Sequence, residues 1–210
     1  MPRISAANIA EHVAQQEAAL FEAAIRLFTE KGFAQVSLAD IAAEVGLKRN
    51  SLYRYFPDKA HILVKWFERE LPHQVELSEK LLVGDGDGDG DGDGDGDGDG
   101  EGPLERLRRW TLVQLDYAQT PEHELGAALA ELVPQLDNDT RAMVAASHGR
   151  LMAPLASVLS ELGIPRNEHG AVIDLLSGLV LAGARHESRV GTDPTARARL
   201  AAAVSALVAS

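Results

Sequence analysis

Apolar residues recur every three or four positions along most of this chain. In "EAALFEAAIRLFTEKGF", Leu20, Phe21, Ala24, Leu27 and Phe28 fall on one face at helical spacing. Lys31-Gly32 closes that segment, glycine being the usual residue of a left-handed cap. "SLADIAAEVG" follows, with Ser37 and Asp40 in capping-box spacing and Leu38, Ile41, Ala42 and Val45 as its apolar face. Gly46 supplies a turn. A third short helix, "KRNSLYRYF", stops before Pro57, because the residue preceding a proline is pushed out of the helical region. Asp58 is placed to cap a long segment, "KAHILVKWFERELPHQVELSEKLLV", in which Pro72 predicts a kink.

The periodicity breaks from Gly84 to Gly100, a strict Gly-Asp alternation with no apolar residue, and then resumes. Leu104, Leu107, Leu112 and Leu115 predict a helix ending near Thr120-Pro121, and "EHELGAALAELV" one that stops at Pro134. Asp137 to Leu162 reads as helix kinked or divided at Pro154. "AVIDLLSGLVLAGARHESRV" and "PTARARLAAAVSALVA" complete the chain, rich in small residues that let helices approach closely. No segment alternates like a strand closed by a hairpin turn. The expected class is all-α, with about nine helices in all.

Hydrophobic residues make up 45 % of the 210, enough for a sizeable core. No apolar run approaches the roughly 20 residues that span a bilayer. The start, "MPRISAANIAEHVAQQE", lacks a secretory signal, and zero cysteines exclude disulfides and thiolate metal sites. A soluble, cytoplasmic protein with no membrane partner is expected. The net charge of −12 argues against a nucleic-acid partner until eight aspartates of the tract are set aside, leaving about −4 elsewhere. Between Val45 and Lys65, five basic residues (Lys48, Arg49, Arg54, Lys59, Lys65) face one acid, Asp58, a local excess of +4. DNA contact depends on where positive charge sits, not on its total.

That basic stretch falls on a helix-turn-helix pattern. The first helix, Leu38 to Glu44, buries its apolar face as a brace, Gly46 permits the turn and Leu47 plugs the corner. The second then presents Lys48, Arg49, Asn50, Ser51, Tyr53, Arg54 and Tyr55 outward: cations for phosphate, an amide and hydroxyls for base edges, rings for sugars and thymine methyls. Ser37, at a helix N-terminus, is placed to meet a phosphate, and Lys59 offers the same at the start of the next helix. A basic run is often only a solvated face. Two interleaved tyrosines weigh against that here.

"FTEKGFAQVSLADIAAEVGLKRNSLYRYFPDKAHIL" resembles the N-terminal domain of TetR-type transcriptional repressors, a likeness covering about the first 70 residues. It is carried by Phe-x-x-x-Gly-Phe, the Ser-Leu-x-x-Ile-Ala brace, Val-Gly-Leu at the turn and Leu-Tyr-Arg-Tyr-Phe-Pro-x-Lys. Lys48 stands where a small capping residue is common, and Ala60-His61 replaces a frequent acidic pair. The resemblance implies a three-helix helix-turn-helix domain over residues 1–57, followed by an α-helical ligand-binding and dimerisation domain over 58–210. It implies a homodimer on a palindromic double-stranded DNA operator, a repressor released by a small-molecule effector. The last two helices carry more apolar surface than a lone surface helix needs. They either pair with a second copy in a four-helix bundle or fill the monomer's own core.

Trp66, Phe67, Trp110, Gln114, Tyr117, Met143, Ser147, His148 and Leu151 are candidate lining for an effector cavity, and aromatics at this spacing are as readily core. None of the seven histidines makes an H-x-x-x-H pair and no nucleophile motif is visible, so neither metal, cofactor nor enzymatic activity is expected. The Asp-Gly tract imitates a calcium loop, but its aspartates are all odd-numbered. A twelfth-position ligand therefore falls on Gly, Leu104, Arg106, Arg108 or Trp110, never on an acid. Without apolar residues to bury, residues 84–100 are expected to form a disordered loop. Two other readings stand beside the repressor: a small-molecule-binding dimer of the same fold that no longer reads DNA, and a calcium-responsive interaction protein.

Overall fold

The computed structural model describes residues 6–83 and 101–209, and side chains other than those of residues 6–10 and of Arg49. The Asp-Gly tract, expected as a loop, lies outside the described residues. Among the described residues, nine α-helices follow in order: α1 Ala6–Lys31, α2 Leu38–Glu44, α3 Arg49–Leu52, α4 Lys59–Leu82, α5 Pro103–Tyr117, α6 Pro121–Leu132, α7 Asn138–Glu161, α8 His169–Val190 and α9 Pro194–Val208. Short 3-10 turns cover Phe33–Gln35 and Val133–Gln135, and no strand occurs among the described residues. The chain is all-α, as its periodicity predicts. No helix among them is long and apolar enough to cross a membrane.

Pro72 lies inside α4 and Pro154 inside α7, and neither ends or divides its helix. A proline removes one N–H and crowds the carbonyl four residues back. Packing on both sides of each position is enough to carry the helix through that local loss, since most helix stability in proteins comes from the buried face.

The described residues form two compact units, one from those within 1–69 and 121–144, the other from those within 70–120 and 145–210. Compactness thus groups 121–144 with the N-terminal helices, where the reading from sequence divides the chain at Pro57. The reason is apolar packing. Leu125, Leu129, Leu136 and Val144 are buried in one cluster with Leu20, Phe28, Ile41, Leu52, Ile62 and Trp66. Each such side chain contributes about 1.5–3 kcal/mol of burial.

In the second unit, Leu107 and Trp110 of α5, Val158 and Leu159 of α7, Val172 and Leu176 of α8 and Val204 of α9 share a core. Along α8, residues 169, 172, 176, 180, 184 and 187 form the buried edge, while Leu175 and Leu181 are 54 % and 39 % exposed. Gly183 lets α8 approach α5: a Cβ there would meet Leu115 Cδ1 at 2.9 Å. Where α5 and α8 end and α9 begins, buried Glu187 accepts from Gln119 Nε2 (3.1 Å), Asp193 N (3.0 Å), Arg197 Nε (2.8 Å) and Arg197 Nη2 (2.7 Å). Arg197 also donates to Asp116. These bonds, first of all those from Arg197, hold the Glu187 carboxyl down to about 2.

Candidate nucleic-acid interface

The brace helix is fixed at both ends by local chemistry. At its start, the Ser37 hydroxyl accepts from Asp40 N at 3.2 Å while Ser37 N donates to Asp40 Oδ2 at 2.8 Å, a complete capping box. The Ser37 hydroxyl also donates to Asp40 Oδ2 at 2.6 Å, and this bond leads in holding the Asp40 carboxyl below its ordinary range. At its end, Leu47 N donates to Ala42 O (2.8 Å) and Gly46 N to Ala43 O (3.1 Å). That pair of bonds is a Schellman motif. It places Gly46 at φ 71°, a left-handed conformation that costs other L-residues roughly 1–2 kcal/mol. Ile41 and Ala42 are fully buried, and Leu47 packs against the same core.

The turn delivers α3, a single helical turn whose register separates core from surface. Leu52 and Phe56 are buried, while Lys48, Asn50 and Arg54 are exposed and Tyr53 is 44 % exposed. Ser51 is half-buried. Tyr55, also half-buried, packs on the core, with the Arg54 guanidinium 5.9 Å from its ring centroid. Arg49 opens α3, and its side chain lies outside the described residues. Lys48 takes the N-cap position in extended conformation with no side-chain cap bond, an ammonium having no acceptor to offer the first-turn N–H groups. Chemically this face offers cations, an amide, a phenol and hydroxyls, the set that binds phosphates and base edges.

Lys59 sits elsewhere than on that open face. Its Nζ donates to Phe33 O at 2.8 Å and Val36 O at 2.7 Å, and lies 4.2 Å from the Phe33 ring centroid. Burial lowers its pKa. Beside it, Asp58 caps α4 by accepting from His61 N (3.0 Å), and His61 Nδ1 lies 2.8 Å from the same oxygen. Burial alone raises the Asp58 carboxyl, and the bonds from His61 outweigh it, leaving it below its ordinary range. A groove of about 780 Å³ runs past these groups, lined by Val36, Ser37, Lys59, His61, Leu132 and Leu136 among others. Phe33, which receives the Lys59 cation, closes the Phe-x-x-x-Gly-Phe pattern, and that pattern does not reveal this role.

The effector candidates divide between the units. Trp66 is buried in the core of the first, with Phe67 and Met143 packed against it. In the second unit, buried Trp110 donates through Nε1 to Ser78 Oγ at 3.4 Å, and buried Ser147 accepts from Arg150 Nη2 at 3.1 Å. Gln114, Tyr117 and Leu151 are half-buried, and His148 is exposed. Ser78 and Arg150 are polar partners that spacing alone does not single out. Among the described residues, no group of three or more His, Asp or Glu is placed to hold a metal ion.

Residues 20–65 match the model of a family described as bacterial regulatory proteins, tetR family. No curated protein matches the chain. Among solved structures, the TetR-family transcriptional regulator PfmR from Thermus thermophilus is similar at 22 % identity and TM-score 0.56, over 90 % of this chain and 96 % of that one. The T. thermophilus TetR-family repressor FadR, solved with lauroyl-CoA, is similar at 20 % and 0.56, over 91 % and 92 %. The ketosteroid transcriptional regulator KstR2 of Mycobacterium tuberculosis is similar at 16 % and 0.57, over 92 % and 93 %. At such identities the likeness is one of fold. The chain carries the N-terminal segment of the tetR family of bacterial regulatory proteins and the fold of TetR-family transcriptional regulators.

Proposed function

We propose that the chain is a homodimeric, sequence-specific DNA-binding regulator, a repressor whose hold on a palindromic operator is released by a small-molecule effector. The observation that carries the reading is the brace-and-turn geometry. A capping box and a Schellman motif fix α2, and α3 with the turn after it leaves Lys48, Asn50, Tyr53 and Arg54 outward while Leu52 and Phe56 are buried. Arg49, Ser51 and Tyr55 complete the reading surface, with Ser37 at its edge. Exposed Leu175 and Leu181 on α8 support pairing of α8 and α9 with their copies in a four-helix bundle.

The effector would be held by the second unit, where Trp110, Gln114, Tyr117, Ser147, His148 and Leu151 supply an apolar lining with polar anchors. An acyl-CoA bound to one relative of the fold supports small-molecule control. Helix α4 contributes residues to both units, so a ligand that shifts it changes how the two recognition helices are spaced. A differential affinity of about 1–3 kcal/mol between the two states suffices for regulation. The test is a gel shift with the DNA upstream of the protein's own gene. Retardation that falls steeply with salt is expected, and a combined Arg49→Ala, Tyr53→Ala change should abolish it. Binding that ignored salt or survived that double change refutes the reading.

A further inference from the structure

We propose that Lys59 is a positioning residue that locks the segment leading into α2 onto the first turn of α4, rather than spending its charge on a DNA phosphate. The proposal builds on the DNA-binding reading for its consequence, while the contact itself stands on geometry alone. One ammonium bonds two main-chain carbonyls, at 2.8 and 2.7 Å, and those carbonyls bracket the 3-10 turn Phe33–Gln35. Val36, the second acceptor, immediately precedes Ser37, the N-cap of α2, and is itself 2 % exposed. The Phe33 ring forms the third wall of the basket, and it is held edge-on against core Phe28 with centroids 5.0 Å apart. An ammonium has three donors. Two carbonyls and a ring face account for its surroundings without a phosphate.

The energetics favour a pin. Among the described residues no carboxylate bonds Lys59; the neighbouring Asp58 accepts instead from His61. Burial lowers the lysine pKa, and the two carbonyl bonds act against that loss by favouring the charged form. Charge-assisted bonds of this kind are about twice as strong as neutral ones. A pinned Val36 fixes the Ser37 cap, and through it the helix on which α3 is turned. A displacement of the first turn of α4 is therefore passed to the N-cap of α2 through the Lys59 ammonium, beside the shared apolar core.

The decisive experiment compares wild type with Lys59→Met, which keeps the apolar stem and removes the ammonium. In the DNA-free protein, hydrogen exchange at Asp40 N and Ile41 N, the first-turn amides of α2, should accelerate at least about tenfold, the measure of one lost charge-assisted bond. On a mixed-sequence duplex, affinity should fall while the slope of log K against log salt stays at the wild-type value. A slope reduced by about 0.9 per bound protomer marks a lost phosphate contact and overturns the pin, whatever the exchange rates do. Unchanged exchange also overturns it. If Lys59→Met fails to fold, Lys59→Arg replaces it. A charge-keeping arginine preserves a phosphate contact and leaves exchange unchanged, whereas the larger planar guanidinium does not fit a basket of two carbonyls and a ring face closed around a compact ammonium, so a pin loosens. Wild-type protein that binds no duplex at low salt refutes the DNA-binding reading, and the exchange rates of the free protein still decide the pin.

Discussion

Replacing Glu187 with glutamine changes one atom and should cost the second unit a large part of its stability. The carboxylate is nearly inaccessible, with its side chain 1 % exposed, and both oxygens accept twice. In Glu187→Gln one oxygen becomes an NH2 group, which turns two of the four bonds into donor–donor contacts and removes the counter-charge of Arg197. Breaking a buried pair from one side costs roughly 3–5 kcal/mol. Arg197 keeps Asp116, so the low end, about 3 kcal/mol, is expected, a fall in melting temperature of about 6–12 °C for a chain of this size. Asp116→Asn is the internal control: its side chain is 60 % exposed, and loss of such a contact costs less than about 1 kcal/mol. Thermal melts at neutral pH measure both. Because the folded carboxyl titrates near 2 against 4.5 unperturbed, its stabilisation is complete above pH 4.5 and is lost as pH falls toward 2. The gap between wild type and Glu187→Gln should therefore close over that interval. A Glu187→Gln protein that melts with wild type, or a gap that persists at pH 2, refutes the reasoning.

Two further outcomes test the local chemistry. Ser37→Ala removes the hydroxyl half of the capping box and should lower stability by about 1 kcal/mol, read as a shifted urea midpoint with an unchanged slope. Leu175→Arg puts a charge on the exposed face of α8 and should halve the mass seen by light scattering without altering the helical circular dichroism; an unchanged mass removes α8 from the dimer interface.

Much of the fold is legible in the sequence because its helices announce themselves by local signals. Ser37 and Asp40 at capping spacing, Gly46 after an apolar face and Asp58 before Lys59 each mark an end that the structure honours. The helices run on past Pro72 and Pro154, because a proline's cost is local while the burial that outweighs it comes from side chains distant in sequence. The same non-locality explains why 121–144 joins the N-terminal unit. Nothing near Leu125 or Leu129 reports that they share a core with Phe28 and Trp66.

The site divides along the same line. Helical register predicts Lys48 to Tyr55 turned outward around Leu52; Asn50, Tyr53 and Arg54 are exposed, whereas Ser51 and Tyr55 are half-buried, because α3 ends at Leu52 and the turn after it brings Tyr55 onto the core. Lys59 does not yield to register. A lysine at the start of a helix in a basic stretch looks like a phosphate ligand, because charge is visible in sequence and carbonyl acceptors are not. Every residue carries a carbonyl, so the two that bind Lys59 leave no trace among the letters. They are free to accept only because Gly32 and the 3-10 turn keep Phe33 and Val36 out of an α-helix, where their carbonyls would be bonded within it. The position of a cation in the chain thus gives its charge, and the backbone around it decides whether that charge is offered outward or consumed within the fold.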